Sequence, residues 1–403
     1  MTVSSTTSLL LRAVRPLGLD LPLPVDGLLD VLIDSAGRVS AYAAQLTEPP
    51  DGARIIDAAG AYLCPGWTDL HTHIWYGGTD ISIRPEVCGL ARGVTTLVDA
   101  GSAGEANFHG LREWIIERAD EEIYAFLNIG SIGLVACNRV SELSHMGDID
   151  VDRIAATVEA NRDRIVGLKV RASGVISRGW DIAPVKLGKK LGKVLGLPLM
   201  VHVGEPLPLY DDVLAQLGPG DIITHCFNGK IGGSILEDED LFHLVEQARD
   251  RGIILDVGHG GASFSFEVAK AAIGRRLLPQ TISTDVHGHS LDGSVWDFAT
   301  TLSKLLSLGM PLEQVIHAAT VAPRQAINRP YGPMMSGGAR ANFTLFRLRD
   351  ENLRVTDSKG AESLLEQVFD PVYSILGANA WPASRYQPQN SDRHACPHCG
   401  WLL

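Results

Sequence analysis

Short apolar runs alternating with amphipathic stretches constrain this 403-residue chain more than any other feature. The runs are rich in Val, Ile, Leu and Thr, and they recur about every 20–40 residues: Thr68–His73, Thr95–Ala100, Tyr124–Ile129, Ile165–Arg171, Leu199–Val203, Ile222–Cys226, Ile253–Val257 and Thr281–Val286. The amphipathic stretches between them include Val151–Asn161, Leu209–Leu217, Leu241–Arg251 and Phe266–Arg276. Apolar strands alternating with helices indicate a parallel sheet that is buried on both faces.

Eight strand–helix units predict an α/β fold in which residues 62–329 close into a (β/α)8 barrel of the TIM type. The alternative architecture is an open, doubly wound sheet. That sheet would need a Gly-rich phosphate-binding turn after its first strand, and the sequence has none.

The two ends of the chain have a different pattern. Period-2 stretches at Gly27–Ile33 and Arg38–Ala43 predict short antiparallel strands. After a last helical pattern at Pro311–Ala326, the segment Asn342–Arg347 predicts a strand without a helix partner. We therefore expect this strand to return to the N-terminal ones, so that residues 1–61 and 330–380 form a small β-sandwich domain.

Six cysteines are present, and four of them lie in apolar segments, where a buried, reduced thiol is the expectation. The other two, Cys396 and Cys399, belong to a CPHC motif in the polar segment 381–403. The motif resembles half of a zinc ribbon, but a structural zinc needs four ligands and the chain has no second Cys pair. We interpret this segment as a flexible tail, with a metal shared between subunits as the alternative.

Charge and hydropathy narrow the possible partners. With 35 basic and 47 acidic residues the formal net charge is −12, which argues against nucleic acid and favours a small-molecule partner. No apolar run approaches the roughly 20 residues of a membrane span, and the N-terminus has no basic leader followed by an apolar core. We therefore expect a cytoplasmic protein without a membrane partner, and a homo-oligomer stays open.

Side chains suited to metal binding begin at the first barrel strand, which ends Asp69-Leu70-His71-Thr72-His73. Residues two apart on a strand face the same side. His71 and His73 should therefore project together into the barrel at its carboxyl end, where barrel active sites lie. Paired imidazoles are common metal ligands, but a single His-x-His pair also arises by chance or in core packing.

Four further polar residues occur at or near the carboxyl ends of other strands. Lys169 lies in the fourth strand, His202 in the fifth, His225 in the sixth and Asp285 in the eighth. Since the carboxyl ends of barrel strands meet at one face, these side chains are expected to form one site with the His pair. Independent coincidences at five strands are improbable.

Lys169 is unusual because it interrupts an apolar strand. A buried ammonium is costly unless it is paired or neutralised. An amine that has added CO2 becomes a carbamate, whose negative charge and two oxygens can bridge two cations. The alternative is an ion pair with a carboxylate such as Asp99.

Several motifs carry a family resemblance, which covers roughly residues 8–350. The segment Pro65–His73 resembles the first-strand signature of the amidohydrolase superfamily. The chain is also similar to the amidohydrolase/deacetylase group of that superfamily, at Gly77–Thr79, Gly93–Gly104, Asn107-Phe108 and Lys169–Ser173. Members of this group are often labelled dihydroorotase, but they include hydrolases of N-acetyl-D-amino acids and of acetyl-(R)-mandelate.

The resemblance implies a role for each candidate. Two divalent metal ions, with zinc suited to the ligands, would be held by His71, His73 and Asp285 on one side, by His202 and His225 on the other, and by the Lys169 carbamate between them. Asp285 would also take a proton from a metal-bridging hydroxide. The implied reaction is hydrolysis of an amide or ester without a covalent intermediate.

Arg171 faces the same interior as Lys169, and a guanidinium suits a substrate carboxylate, although a structural ion pair is an equal alternative. Other candidates for substrate contacts follow predicted strands: Ser173, Asn228, Lys230, His259 and His287. For each of them, a role in supporting a loop or a neighbouring side chain is the alternative. We expect a deacylase or deacetylase that acts on a small acylated, α-substituted carboxylic acid.

The residues after His73 favour this activity over ring hydrolysis. Dihydroorotases usually carry Leu-Arg there, and this chain has Ile74-Trp75. A cyclic amidohydrolase of the dihydroorotase or hydantoinase type is therefore the alternative, and a non-catalytic scaffold barrel is a minor one. Trp75 and Tyr76 are candidates for an apolar wall around the substrate, with packing inside the protein as an equal alternative.

Overall fold

The computed structural model describes residues 7–21, 27–47, 49–137 and 139–388. The strands in these ranges are β1 (Leu9–Pro16), β2 (Leu29–Ile33), β3 (Val39–Ala43), β4 (Arg54–Asp57), β5 (Tyr62–Pro65), β6 (Trp67–Thr72), β7 (Val94–Ala100), β8 (Glu122–Asn128), β9 (Ile165–Ala172), β10 (Leu199–Val203), β11 (Ile222–Thr224), β12 (Ile254–Asp256), β13 (Asn342–Thr356), β14 (Glu362–Leu376) and β15 (Asn379–Pro382). The α-helices are α1 (Pro85–Cys88), α2 (Phe108–Leu111), α3 (Val151–Ala160), α4 (Gly174–Ser177), α5 (Ala183–Leu195), α6 (Tyr210–Gln216), α7 (Glu239–Asp250), α8 (Phe266–Gly274), α9 (Gly288–Leu291), α10 (Phe298–Ser307), α11 (Leu312–Ala319) and α12 (Val321–Ala326).

A parallel sheet of β6 to β12, arranged in chain order, forms the barrel wall. The eighth apolar run is not a continuous strand, but it pairs with both edges of this sheet. Thr281 bridges to Asp256 at the end of β12, and Val286 bridges to Thr72 at the end of β6, both in parallel. Because this segment joins the two edge strands, the sheet closes, and the predicted barrel fold is confirmed.

Burial explains why these strands read as continuous apolar runs. Every residue of β7 and β9 is buried, because side chains on one face fill the barrel and those on the other meet the helices. Helix α5 packs closely on the wall at Gly188, where an added Cβ would lie 2.8 Å from Val170. The helix ends at Gly196, whose φ of 68° is the left-handed conformation that glycine adopts freely.

The helix expected over Pro311–Ala326 is divided in the structure. Helix α11 ends before Thr320, whose backbone (φ −133°, ψ −76°) is not helical, and α12 starts after it. Pro323 lies in the first turn of α12, where its missing N–H is tolerated. In one continuous helix the same proline would have removed an internal hydrogen bond, so two helices replace the single one that periodicity predicted.

Both chain ends contribute to a second sheet, with strand order β15-β14-β13-β5-β1-β2-β3 and with β4 beside β1. Strand β13 pairs antiparallel with β5, placing Phe343 opposite Pro65, so the predicted return of the late strand to the N-terminal strands is confirmed. Strand β1 runs parallel to both β4 and β5, which makes the sheet mixed. The apolar side chains of this sheet form a cluster that is separate from the barrel core and includes Leu11, Val31 and Leu345.

The hairpin between β13 and β14 reaches the loop that follows β12. Asp357 accepts a hydrogen bond from the backbone N–H of Phe266 at 2.9 Å, and the Ser358 hydroxyl donates to the carbonyl of Gly260 at 2.9 Å. The second sheet therefore supports a loop at the carboxyl end of the barrel strands.

The chain continues to pack beyond residue 381, where a flexible tail was expected to begin. Arg385 pairs with Glu351 at 2.5 Å, and the backbone N–H of Tyr386 donates to Asp297 at 2.6 Å. The predicted Cys396 and Cys399 pair lies outside the described residues. Within the described ranges, no helix is both long enough and apolar enough to cross a bilayer.

Candidate metal centre

Four imidazoles and a carboxylate meet at the carboxyl end of the barrel strands. The Nε2 atoms of His71 and His73 lie 3.3 and 3.1 Å from Oδ1 of Asp285. His225 Nε2 lies 3.9 Å from the other carboxylate oxygen and 2.8 Å from His202 Nδ1. Ligand atoms of His71, His225 and Asp285 all fall within 4.8 Å of one another, so the structure brings five of the six predicted metal ligands together.

The backbone aims two of these side chains. His225 and Asp285 have φ values of 72° and 49°, in the left-handed region that residues with a Cβ seldom adopt. Such strain concentrates at functional sites, where the surrounding structure enforces it. The chain packs closely around Asp285, since a Cβ added to Gly260 would lie 2.5 Å from its Oδ2.

Hydrogen bonds behind the cluster set the orientation of two rings. The hydroxyl of Thr224 donates to Asp256 at 2.7 Å, so its oxygen accepts from Nδ1 of His71 at 2.9 Å. Nδ1 of His225 donates to the carbonyl of Gly258 at 2.6 Å. With the proton on Nδ1, each ring turns an Nε2 lone pair toward the centre of the cluster, as metal-binding histidines require.

Burial sets the protonation states in the cluster. Desolvation lowers the pKa of His71 and His202 well below the usual value and that of His225 to about 4, so these imidazoles are neutral. Burial opposes ionisation of Asp285, but the polar contacts that its carboxylate makes with the rings of His71 and His73, at 3.3 and 3.1 Å, hold the pKa of this carboxyl well below its usual range. Neutral imidazoles and one carboxylate are the donors that divalent transition metals prefer.

Lys169, the sixth predicted ligand, is 1% exposed and adjoins the cluster. Its Nζ lies 3.2 Å from His71 Nε2 and 3.2 Å from Met200 Sδ, and no carboxylate in the described part of the chain forms an ion pair with it. Asp99, the alternative partner, accepts two backbone N–H groups. Burial lowers the pKa of Lys169 to about 7, so much of the amine is neutral near neutral pH.

A cavity of about 260 Å³ opens beside the cluster. Its wall combines polar and apolar side chains beyond the predicted ligands: Ile81, Leu134, Cys137, Arg171, Val175, Ile176, Glu205, Lys230, Ser263 and His287. This volume suits a small molecule.

Arg171 lines the cavity, but its guanidinium already has a carboxylate partner. Nε and Nη2 each donate to Glu142 at 2.7 Å, and Nη1 lies 3.4 Å from the sulfur of Cys137. The two charged side chains are 8% and 1% exposed. The structure therefore shows the ion-pair alternative, with the bidentate edge of the guanidinium occupied from within the protein.

The other candidates for substrate contacts divide into two groups. Lys230 and His287 line the cavity, and the ring centroid of His287 lies 6.5 Å from that of His73. Ser173 donates to Glu205, a residue of the cavity wall, at 2.6 Å. The remaining two lie away from the cavity.

Asn228 and His259 support loops and do not line the cavity, which is the alternative that the sequence left open for them. The amide of Asn228 donates to the carbonyls of His225 and Gly233 at 3.0 and 3.1 Å, which closes the loop after β11. His259 is fully buried, with Nε2 2.9 Å from the Nζ of Lys304. Both lie directly after strands, but local backbone turns direct their side chains into the protein.

For the two aromatic residues after His73, the structure shows the packing alternative. Trp75 is buried against Gly78, where an added Cβ would lie 2.0 Å from its ring. Tyr76 is half-exposed and packs under the guanidinium of Arg84 at 4.1 Å. Neither residue lines the cavity, so both contribute to packing.

Two acidic residues in this region were not recognised in the sequence. Glu142 lies in a long loop after β8, and no periodic pattern marks it. Glu205 follows His202 by three residues, and its position just beyond a strand end was a signal that could have identified it. Its carboxylate accepts hydrogen bonds from Ser173 and from the Nζ of Lys230, the latter at 2.7 Å.

Comparison with known proteins gives the family. No protein-family model matches the chain. A deacetylase of Brucella anthropi is 60% identical over 364 residues, which cover 90% of each protein. A deacetylase of Agrobacterium fabrum is 60% identical over 360 residues, 89% of this chain and 88% of the relative. A crystal structure described as that of a dihydroorotase superposes with a TM-score of 0.92 at 57% identity, covering 95% of this chain and 100% of the other.

The closed barrel and these relatives define a hydrolase of the TIM-barrel type. The chain belongs to the amidohydrolase superfamily, and within it to the group that contains the two deacetylases. Members of this superfamily typically use divalent metal ions.

Proposed function

We propose that this hydrolase is a binuclear metal-dependent deacylase. Its substrate would be a small acylated, α-substituted carboxylic acid, such as an N-acetyl-D-amino acid or acetyl-(R)-mandelate. The observation that carries the proposal is the convergence of three buried imidazoles on Asp285, with the partly buried His202 against His225, beside a buried lysine and a cavity for a small molecule. The two relatives named deacetylase, each 60% identical to this chain, support the proposal that the reaction removes an acyl group.

The six side chains would share two metal ions, for which zinc suits the donors. His71, His73 and Asp285 would hold one ion, and His202 and His225 the other. When bound, such ions lower the pKa of a water molecule and polarise a carbonyl group.

Lys169 would serve both ions as a carbamate. Its neutral amine can attack the carbon of CO2, forming an N–C bond and releasing a proton, and the product carries one negative charge on two oxygens. The lowered pKa of Lys169 and its lack of an ion-pair partner in the described ranges favour this modification.

Asp285 would transfer the proton. Its side chain is 13% exposed and lines the cavity, so an attacking water and a leaving group can both reach it. As an ionised carboxylate it accepts the proton of the attacking water and delivers it to the departing amine or alkoxide. Cleavage then needs no covalent bond between the acyl group and the protein.

Ring hydrolysis is the second candidate, because the superposed structure at 57% identity is described as a dihydroorotase. The position after His73 does not supply a carboxylate-binding arginine in this chain. Trp75 is buried against Gly78 and not in the cavity wall. These residues favour an acyclic substrate.

The test is acetate release by zinc-loaded protein from paired enantiomers of acetyl-mandelate and of N-acetyl amino acids, with dihydroorotate measured alongside. We expect turnover of one enantiomer of an acetylated acid and none of the ring. Ring opening without acetate release would replace the deacylase proposal with the cyclic amidohydrolase.

A further inference from the structure

Three cationic side chains line the cavity, but they differ in how their donors are used. Lys169 belongs to the proposed metal centre. Arg171 directs both bidentate donors at Glu142, which is 1% exposed, so a substrate carboxylate would have to compete with a buried partner. Lys230 is the third.

Lys230 keeps donors available. Its ammonium has three N–H groups, and the described residues supply one acceptor, Glu205 Oε1 at 2.7 Å. The side chains of the pair are 19% and 40% exposed, and an ion pair of that exposure adds little to stability. Glu205 is held in turn through its other oxygen, which accepts from Ser173 at 2.6 Å.

The loop after β11 positions Lys230 beside the metal centre. His225 begins this loop, and the Asn228 side chain closes it by donating to the carbonyl of His225 and accepting from the backbone N–H of Lys230 at 3.0 Å. A Cβ added to Gly204 would lie 3.2 Å from Nζ of Lys230 and 3.3 Å from Nε2 of His202. The ammonium and a proposed metal ligand therefore face the same small space.

We propose that Lys230 binds the carboxylate of the substrate, the role that the sequence suggested for Arg171. This inference rests on the proposed deacylase function. Glu205 holds the ammonium at the cavity wall, and the two remaining donors meet the substrate anion. The substrate class is therefore acylated acids with a free carboxylate close to the scissile bond, and their neutral amides are poor substrates.

The experiment compares each acylated acid with its carboxamide, using the zinc-loaded full chain. Lys230→Met removes the charge and keeps the apolar stem, and Lys230→Arg is the matched variant that keeps the charge. We expect Lys230→Met to lower kcat/KM for the acid at least about tenfold more than for the carboxamide, mainly through KM. Lys230→Arg should restore much of the preference for the acid.

Equal losses for the acid and the carboxamide in Lys230→Met would overturn the proposal and leave Lys230 as a structural partner of Glu205. If the wild type turns over neither substrate, the deacylase function fails and the role of Lys230 is tested by binding. Calorimetry would then compare mandelate with mandelamide. Binding of mandelate that is lost in Lys230→Met supports the proposal, and binding that is absent from the wild type or unchanged in the variant contradicts it.

Discussion

Thr224→Val is the most informative substitution for the proposed metal centre, because valine keeps the shape of threonine and removes one buried hydroxyl. That hydroxyl donates to Asp256 at 2.7 Å and accepts from Nδ1 of His71 at 2.9 Å. In the variant the His71 N–H loses its acceptor, and nothing favours the tautomer that turns Nε2 toward Asp285.

The expected magnitude follows from these contacts. Losing the partner that orients a metal-binding histidine typically weakens metal affinity about 10–100-fold, or about 1.4–2.7 kcal/mol. Stability should fall only by the cost of the unpaired His71 N–H, about 1–3 kcal/mol, because Asp256 keeps hydrogen bonds from Thr281 and Ser283 at 2.8 and 2.6 Å.

The assay is competition for zinc against a chromogenic chelator, with the fold checked by circular dichroism. Thr281→Val is the matched control, since Thr281 is equally buried and donates to the same carboxylate without touching a histidine. We expect about 10–100-fold weaker binding in Thr224→Val and less than about threefold in the control. Equal effects in the two variants would refute the reasoning that the hydroxyl acts by orienting His71.

Three further predictions concern the same region. Asp285→Asn should lower kcat at least about 1,000-fold while circular dichroism stays unchanged, and substantial residual turnover would remove Asp285 from proton transfer. Glu142→Gln should lower the free energy of unfolding by about 3–5 kcal/mol in chemical denaturation, because Arg171 is left as a buried, unpaired charge. Glu362→Gln is the control, since it breaks the exposed ion pair with Arg354. An equally small loss in both variants would contradict this prediction. Dialysis against a chelator at low CO2 should abolish turnover, and zinc with bicarbonate should restore more activity than zinc alone; equal recovery would argue against the Lys169 carbamate.

Local periodicity explains how much of the fold was predictable. The apolar runs and the helical stretches are short-range patterns, so they indicated the barrel and most of its helices without knowledge of distant contacts. The helix predicted over Pro311–Ala326 divides at Thr320 in the structure. The apolar spacing continues through this point, but Pro323 fits only the first turn of a new helix. The eighth strand pairs through isolated bridges, which no local pattern indicates.

Strand periodicity and barrel topology together determined the neighbourhood of the candidate site. Residues two apart on β6 face the same side of the sheet, and the carboxyl ends of all barrel strands lie at one face of the barrel. The positions of His71, His73 and Asp285 along their strands therefore predicted that these side chains would meet. Whether they bind metal stays a prediction.

Only the tertiary structure decided the partners of these side chains. Arg171 meets Glu142 from a loop 29 residues away, and His71 meets Thr224 across 153 residues, pairings that no short-range pattern encodes. The direction of Trp75 likewise depends on packing against Gly78 rather than on its position after a strand. Sequence periodicity determines which face of an element a residue occupies, whereas long-range packing determines which donor, acceptor or charge it finds there.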